Sequence, residues 1–488
     1  VRNNRIGKLG VGLVYWPELA PLFDDTDLVS VIEIEPQVYW EKISGPQGIR
    51  YRPNERLLDS IRQRPQAKLL HGVGQPIGGV VDDAVDYAGS LQHMIELFDP
   101  PWISEHLSFN RISADTDAQE VGFLLPPRQT DAGVDLAVQN IRRYARTAGR
   151  PFAFETGVNY LQQQPDEMSD GDYFAAVSSR ADCGIVLDLH NLWCNQCNGR
   201  QSVLDALAQM PLDRVWELHL AGGMAFEGYW LDAHSQGVPE PVVELARQVM
   251  PRLPNLGAIV FEILPQHLPS FGIDGVRQQL LTLWDLWDIQ PASSAASQTQ
   301  PGAFPARVSA PPSHTVDVAE IVGWEQSLAS ALRDDSTAVD PRFKWLQQDP
   351  GLVVFRLLIG DARRSNIARS LRYTTTLLLL GLGEPELKAL LDGYFDTHAP
   401  DMFPAHEADH FAGHLHQHAA LIARIPYLAE VLAFEHALVR ATIFAISTEV
   451  AWSHDPTAIL EALEKGHAPP ELPAMQQVMH VSVDRNLV

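Results

Sequence analysis

The chain has 488 residues, 45% apolar and 20% charged, with a formal net charge of −25 at pH 7. This is too long for one ordinary domain and apolar enough to bury a sizeable core, which sets it apart from disordered chains. So acidic a surface, with no basic stripe to relieve it, argues against duplex nucleic acid as a partner, and no apolar run approaches the ~20 residues that span a bilayer.

The first seven residues, Val1 to Gly7, lack an initiator Met and the charged-then-apolar order of a signal peptide, and read as a trimmed start. Short apolar runs then alternate with helix-length amphipathic segments. Leu9–Tyr15, Leu28–Glu35, Lys68–Gly72, Trp102–Leu107, Phe152–Glu155, Gly184–Asp188, Val215–Leu220 and Ala258–Glu262 read as strands. Eight strands with eight following helices predict an α/β fold, a closed parallel TIM (β/α)8 barrel over residues 1–290. Among the helices, Asp131–Ala148 places Val134, Ala137, Val138, Ile141 and Tyr144 on one face. Val238–Leu253 carries Pro239 and Pro241 in its first turn, where a missing N–H costs little.

Residues 291–315, dominated by Pro, Ala, Ser and Gln and bearing Arg307 as their single charge, predict a flexible linker. Beyond it the pattern is helical: Val318–Ala331, Pro341–Gln348, Gly351–Leu357, Ser365–Leu380, Pro385–Phe395, His406–Ile422 and Tyr427–Ile446. A smaller all-helical domain over 316–488 follows, with a short strand near Met479–Val483. His406, His410, His414 and His418, with His416 beside them, form a stripe that reads as a solvated face, because four ligands in a line cannot all reach one ion. The three cysteines, 183, 194 and 197, are too few for a disulfide framework and fit a reducing cytoplasm. Cys194-Asn-Gln-Cys197 reads as two reduced surface-loop thiols.

Catalytic groups of a parallel barrel stand where strands end and loops begin. Here the strand ends are polar: His71 in LLHGVG, Glu105-His106 in SEHLSF, Glu155 in FAFET, Asp188 in IVLDLHN, His219 in ELHLAG and Glu262 in IVFEIL, followed by Asp232-Ala-His234 in the loop after strand seven. Any one of these could merely cap a strand; together they predict divalent metal. The donors exceed the roughly six that one transition metal uses, so more than one ion is expected. His71, His106 and Glu155 form the first set. Glu155 bridges to a second set of Asp188, His219 and Glu262, and Asp232, His234 and either His190 or Asn191 form a third. Glu155, His71 and His106 are expected to carry the chemistry.

In order and type these motifs resemble the multinuclear non-haem iron-dependent oxidases, the DUF692 or UPF0276 family, over roughly residues 9–285. The resemblance implies a TIM barrel with two or three irons of mixed Fe(II)/Fe(III) valence that uses O2 to modify ribosomally synthesised precursor peptides, often at cysteine. It carries His71, His106, Glu155, Asp188, His219, Asp232, His234 and Glu262 over as metal ligands. The chain departs from the family pattern at Glu155-Thr156, at His190-Asn191 and at Glu33-Ile-Glu35-Pro-Gln37 in strand two. LLDGYFDTHAP and IPYLAEVLAFEHAL resemble DUF2063-type partner proteins, which implies a peptide-engaging partner fused through the linker. Two rival readings stand: a multinuclear zinc hydrolase of the apurinic endonuclease type, against which the acidic charge argues, and a non-enzymatic metal- or peptide-binding scaffold using the His-rich helix.

Overall fold

A computed structural model of the chain describes residues 6–45, 48–80, 84–113, 118–289, 318–335 and 337–482. Eight strands close into a parallel barrel. They are β1 (Gly10–Val14), β2 (Val31–Ile34), β3 (Ala67–Gly72), β4 (Ile103–His106), β5 (Phe152–Glu155), β6 (Gly184–Asp188), β7 (Val215–Ala221) and β8 (Ala258–Glu262). All eight expected strands form, and their order round the barrel is sequential, with β8 pairing β1. Helix 131–148 is capped by Thr130, whose side chain accepts from Gly133 N–H, and ends on Gly149 at φ 63°, a left-handed conformation that suits glycine.

Three excursions from the barrel were not expected, one of them the antiparallel pair Met224–Phe226 and Tyr229–Leu231. Trp40–Gly45 and Gly48–Pro53 pair antiparallel, as do Phe109–Ser113 and Ala118–Leu125. These bear on how the chain divides. One compact unit comprises Val1–Tyr39, Asp59–Ser113 and Leu124–Val354, and the other comprises Trp40–Leu58, Ala114–Phe123 and Phe355–Val488.

This division differs from the expected boundaries at 290 and 316. Helix 318–332 belongs with the barrel because Trp324 is buried there, its indole N–H donating to Pro126 O at 3.1 Å, and because Glu325 accepts from Val80 N–H at 2.8 Å. The 40–53 hairpin belongs to the second unit because Lys42 pairs with Asp401 at 2.7 Å, while His406 Nε2 donates to the Lys42 carbonyl at 2.8 Å. The expected linker lies outside the described residues.

The second unit is helical and holds the expected short strand, at Gln477–Val481, which pairs antiparallel with one that was not expected, Thr448–Trp452. Its core gathers Leu371, Phe411, Leu415, Leu428, Leu432 and Trp452. The expected helices 351–357 and 365–380 are instead Gly351–Ser370 and Arg372–Leu382. The break falls at Leu371, where the buried Glu435 carboxylate accepts the N–H groups of Tyr373 and Thr374 at 2.8 and 2.6 Å and satisfies the new helix start. Among the described residues, no helix is long and apolar enough to cross a membrane.

Candidate metal centre

Strand register brings the polar strand ends together. His106 on β4 is the register partner of Glu155 on β5, and Asp188 on β6 that of His219 on β7. The Glu155 carboxylate lies 2.8 Å from His71 Nε2 and 3.1 Å from His106 Nε2. Both rings are held from behind. His106 Nδ1 donates to the Gly72 carbonyl at 2.9 Å, so its Nε2 presents a lone pair in the neutral ring. His71 Nδ1 meets Ser104 Oγ at 2.9 Å. The HGVG glycine has a steric reason: a Cβ on Gly72 would come 2.2 Å from Glu105 Oε2. Glu105 itself is turned aside and accepts the N–H groups of Gln75 and His106.

On the other half of the mouth, His219 lies between Glu33, at 3.1 Å from Nε2, and Glu262, at 3.3 Å from Nδ1. Asp188 caps helix 189–197 with Oδ1, which accepts from Asn191 N–H at 2.7 Å. Asn191 Nδ2 donates to Glu155 Oε1 at 3.2 Å. His234 Nε2 lies 3.0 Å from Asp232 and 3.8 Å from Glu262. His234 also has φ 45°, a left-handed conformation that costs a non-glycine residue about 1–3 kcal/mol, so the loop is held in this shape by its surroundings.

Glu33 and His190 depart from expectation. Glu33 is fully buried and belongs with His219 and Glu262 in one convergent group, although only its departure from the family pattern had drawn notice to it. Strand alternation was the available signal, since Glu33 lies two residues past the inward Val31. His190, expected as an alternative third-set ligand, has both nitrogens engaged. The Trp230 indole can only donate, so His190 Nε2 accepts from it at 3.1 Å, and Nδ1–H donates to Asp232 Oδ1 at 2.9 Å. His190 therefore orients Asp232. Gly223 has no room for a side chain here, because a Cβ would lie 2.0 Å from the Leu231 carbonyl oxygen, 2.7 Å from Trp230 Nε1 and 2.9 Å from the His190 ring. The two cysteines expected in a surface loop lie instead on helix 189–197, where Cys194 is buried with its sulfur 3.7 Å from both His190 nitrogens and only Cys197 is exposed. Burial, with the Asp232 charge beside it, pushes the Cys194 thiol well above its ordinary range.

Among the described residues, four groups of three converge with ligand atoms within 4.8 Å of one another: His71, His106, Glu155; Glu155, Asp188, His219; Glu33, His219, Glu262; and Asp188, His234, Glu262. The groups share members, so they form a continuous chain of donors. Asp232 flanks this chain without belonging to one of the four groups, and Asn191 lies beside it, donating to Glu155.

The charges balance poorly without a cation. Burial opposes ionisation of Glu262, yet His219 and His234 hold its carboxyl down at about 2. Burial pulls His106 down, but Glu155 and Glu105 outweigh it and raise it to about 10. Burial, with the Asp232, Glu155 and Glu262 charges, pushes Asp188 far above the carboxylate range, and burial lifts Glu33 to about 7 against the pull of His219. His71 Nε2, Glu155 Oε2, Asp188 Oδ2, His219 Nδ1, His234 Nε2 and Glu262 Oε2 are all buried without a well-formed hydrogen bond, most of them facing only other members of the ring or Asp232. Such atoms are rare, and each costs about 1–3 kcal/mol when left unpaired. A converging set of orphaned imidazole nitrogens and carboxylate oxygens fits divalent metal.

Comparison with known proteins agrees. Residues 10–270, more than half of the chain, match the family described as RiPP precursor modification enzyme MbnB/TglH/ChrH. The chain belongs to this family. All the strand-end donors, from Glu33 to Glu262, lie within the span that matches this RiPP-modifying family. A UPF0276 protein of Chromobacterium violaceum is 32% identical over 184 residues, covering 38% of this chain and 65% of the relative. A UPF0276 protein of Streptomyces avermitilis is 26% identical over 262 residues, covering 53% of this chain and 52% of the relative. The chain thus spans less than two thirds of the length of either. Among solved structures, endonuclease IV from Thermus thermophilus is 15% identical with a TM-score of 0.36, covering 57% of this chain and 98% of that one.

Proposed function

We propose that the chain is an O2-dependent multinuclear non-haem iron oxidase that modifies a ribosomally synthesised precursor peptide at a cysteine. The observation that supports this most is the sharing of Glu155, Asp188, His219 and Glu262 between neighbouring donor groups, which suits two or three ions rather than one. Two histidines and one carboxylate, the composition of the His71, His106, Glu155 group, is a donor set that suits non-haem ferrous iron. Bound there, iron would supply Lewis-acid binding of a substrate thiolate and the redox chemistry of O2. The protein's own residues do the rest. Gly72 and Ser104 fix the rings of His106 and His71, and Asn191 holds Glu155 from the side. On the Asp232 side, the Trp193 and Trp230 rings meet edge to face 4.9 Å apart, and Tyr160 OH accepts from Asp232 N–H, which fixes that residue's backbone.

The second unit, with a core of its own, would capture the peptide and raise its concentration at the barrel. Three free cysteines support a reducing compartment such as the cytoplasm. The test is anaerobic reconstitution with Fe(II), addition of a short Cys-containing candidate precursor peptide, and admission of O2. Oxygen uptake with a matching mass change on the peptide is expected. Turnover that persists with zinc and without O2 would replace this reading by a hydrolase.

A further inference from the structure

The histidine stripe of the second unit is not one feature. His406 donates to a backbone carbonyl, and His414 faces His418 with their Nε2 atoms 3.2 Å apart. His416, out of step with the four-residue repeat, faces instead His436 on helix Leu428–Phe444. His416 Nε2 lies 3.2 Å from His436 Nδ1, and His436 Nε2 lies 2.8 Å from Asp409 Oδ1. Asp409 and His416 both belong to helix Pro404–His416, so the cluster joins two helices.

We propose that His416 and His436, supported by Asp409, form a two-histidine site for a borderline divalent cation, zinc above all, sharing no residue with the barrel ring. Two observations carry this. The His436 hydrogen bond holds Asp409 below its ordinary carboxyl range, so the ionised group can only accept and the His436 proton sits on Nε2. His436 Nδ1 is then the ring nitrogen left to face His416, fixed in direction by the carboxylate–histidine arrangement that supports metal-bound imidazoles. Finally, two nitrogens bound to one tetrahedral zinc at about 2.0–2.1 Å lie about 3.3 Å apart, close to the separation found here.

In the metal-free protein one ring proton bridges the pair. On binding, the cation replaces that proton, which passes to the outer nitrogen of His416 or to solvent, with water completing the shell. Burial and the facing His436 ring keep His416 below its ordinary value, which leaves it neutral and able to ligate at pH 7. Among the described residues no carboxylate is hydrogen-bonded to either ring of the His414/His418 pair, which makes that pair the internal comparison.

The test uses the full chain as purified, with its resident metal in place, titrated with zinc alone by calorimetry while the resident metal content is followed. The parent should bind about one zinc beyond the resident metal. His416→Gln with His436→Gln should abolish that binding, and His414→Gln with His418→Gln should leave it unchanged. Asp409→Asn should weaken it about tenfold or more, and it keeps the question open to test if the double variant does not fold. Absence of additional zinc in the parent, or a loss that follows the His414/His418 variant, overturns the assignment.

Discussion

The two ends of the barrel interior rest on the same strands and follow opposite rules. At the floor, Val31, Leu69, Trp102, Ala153, Val186, Trp216 and Ala258 pack into one apolar cluster. Two residues further along four of those strands stand Glu33, His71, Glu155 and Asp188, equally buried but with polar atoms left unpaired. Strand alternation puts both sets on the inner face, so one backbone carries a packed plug and a donor ring a single pleat repeat apart. The floor stabilises the barrel, and the mouth gives up stability until a cation satisfies it.

The largest effect should come from breaking the floor. Trp216→Ala should destabilise the barrel by about 3–5 kcal/mol in denaturant titration, while the folded fraction keeps the parent's metal-to-protein ratio. A variant of normal stability with reduced metal content would show that floor and mouth are not separable. At the mouth, Glu155→Gln should lower metal affinity by more than about 100-fold, beyond the range typical of supporting residues, and Glu105→Gln much less, because Glu105 is spent on backbone N–H groups. Competition with a chelator measures both.

His190→Asn tests the relay. It should cost about tenfold in affinity for the most weakly held ion, the scale for a residue that acts through a ligand; a loss as deep as that of Glu155→Gln would make His190 a ligand itself. The smallest effect sharpens the comparison from outside the ring. Glu325 is as buried as the mouth carboxylates but has no histidine: burial raises it to about 8, with only the Val80 N–H pulling it down. Between pH ~4.5 and ~8 it stays protonated in the folded chain and ionises in the unfolded one, so it lowers stability as pH rises through that window. Glu325→Gln should remove that slope from stability measured against pH.

Much of this was legible in the sequence because barrel strands are short apolar runs whose polar ends are conspicuous. β5, β6 and β8 begin and end where the pattern places them. What escaped did so for physical reasons. The 40–53 hairpin is half-exposed and carries no strong alternation. Trp216 and His219, an odd number of residues apart, both serve the barrel interior because the β6–β7 register shifts between Ile185 and Val186, and a strict two-residue period cannot anticipate such a shift. The roles of His190 and His436 depend on Trp230 and His416, partners distant in the chain that only folding brings near.

The central claim is that the mouth holds several ions through shared carboxylates, and elemental analysis of anaerobically prepared protein tests it most directly, with the parent beside Glu155→Gln and Asp188→Asn. The account predicts two or three irons per chain in the parent, and a loss of more than one ion in each variant, because each residue belongs to two donor groups. At most one ion per parent chain, or variants that each lose only the ion of a single group, would contradict it.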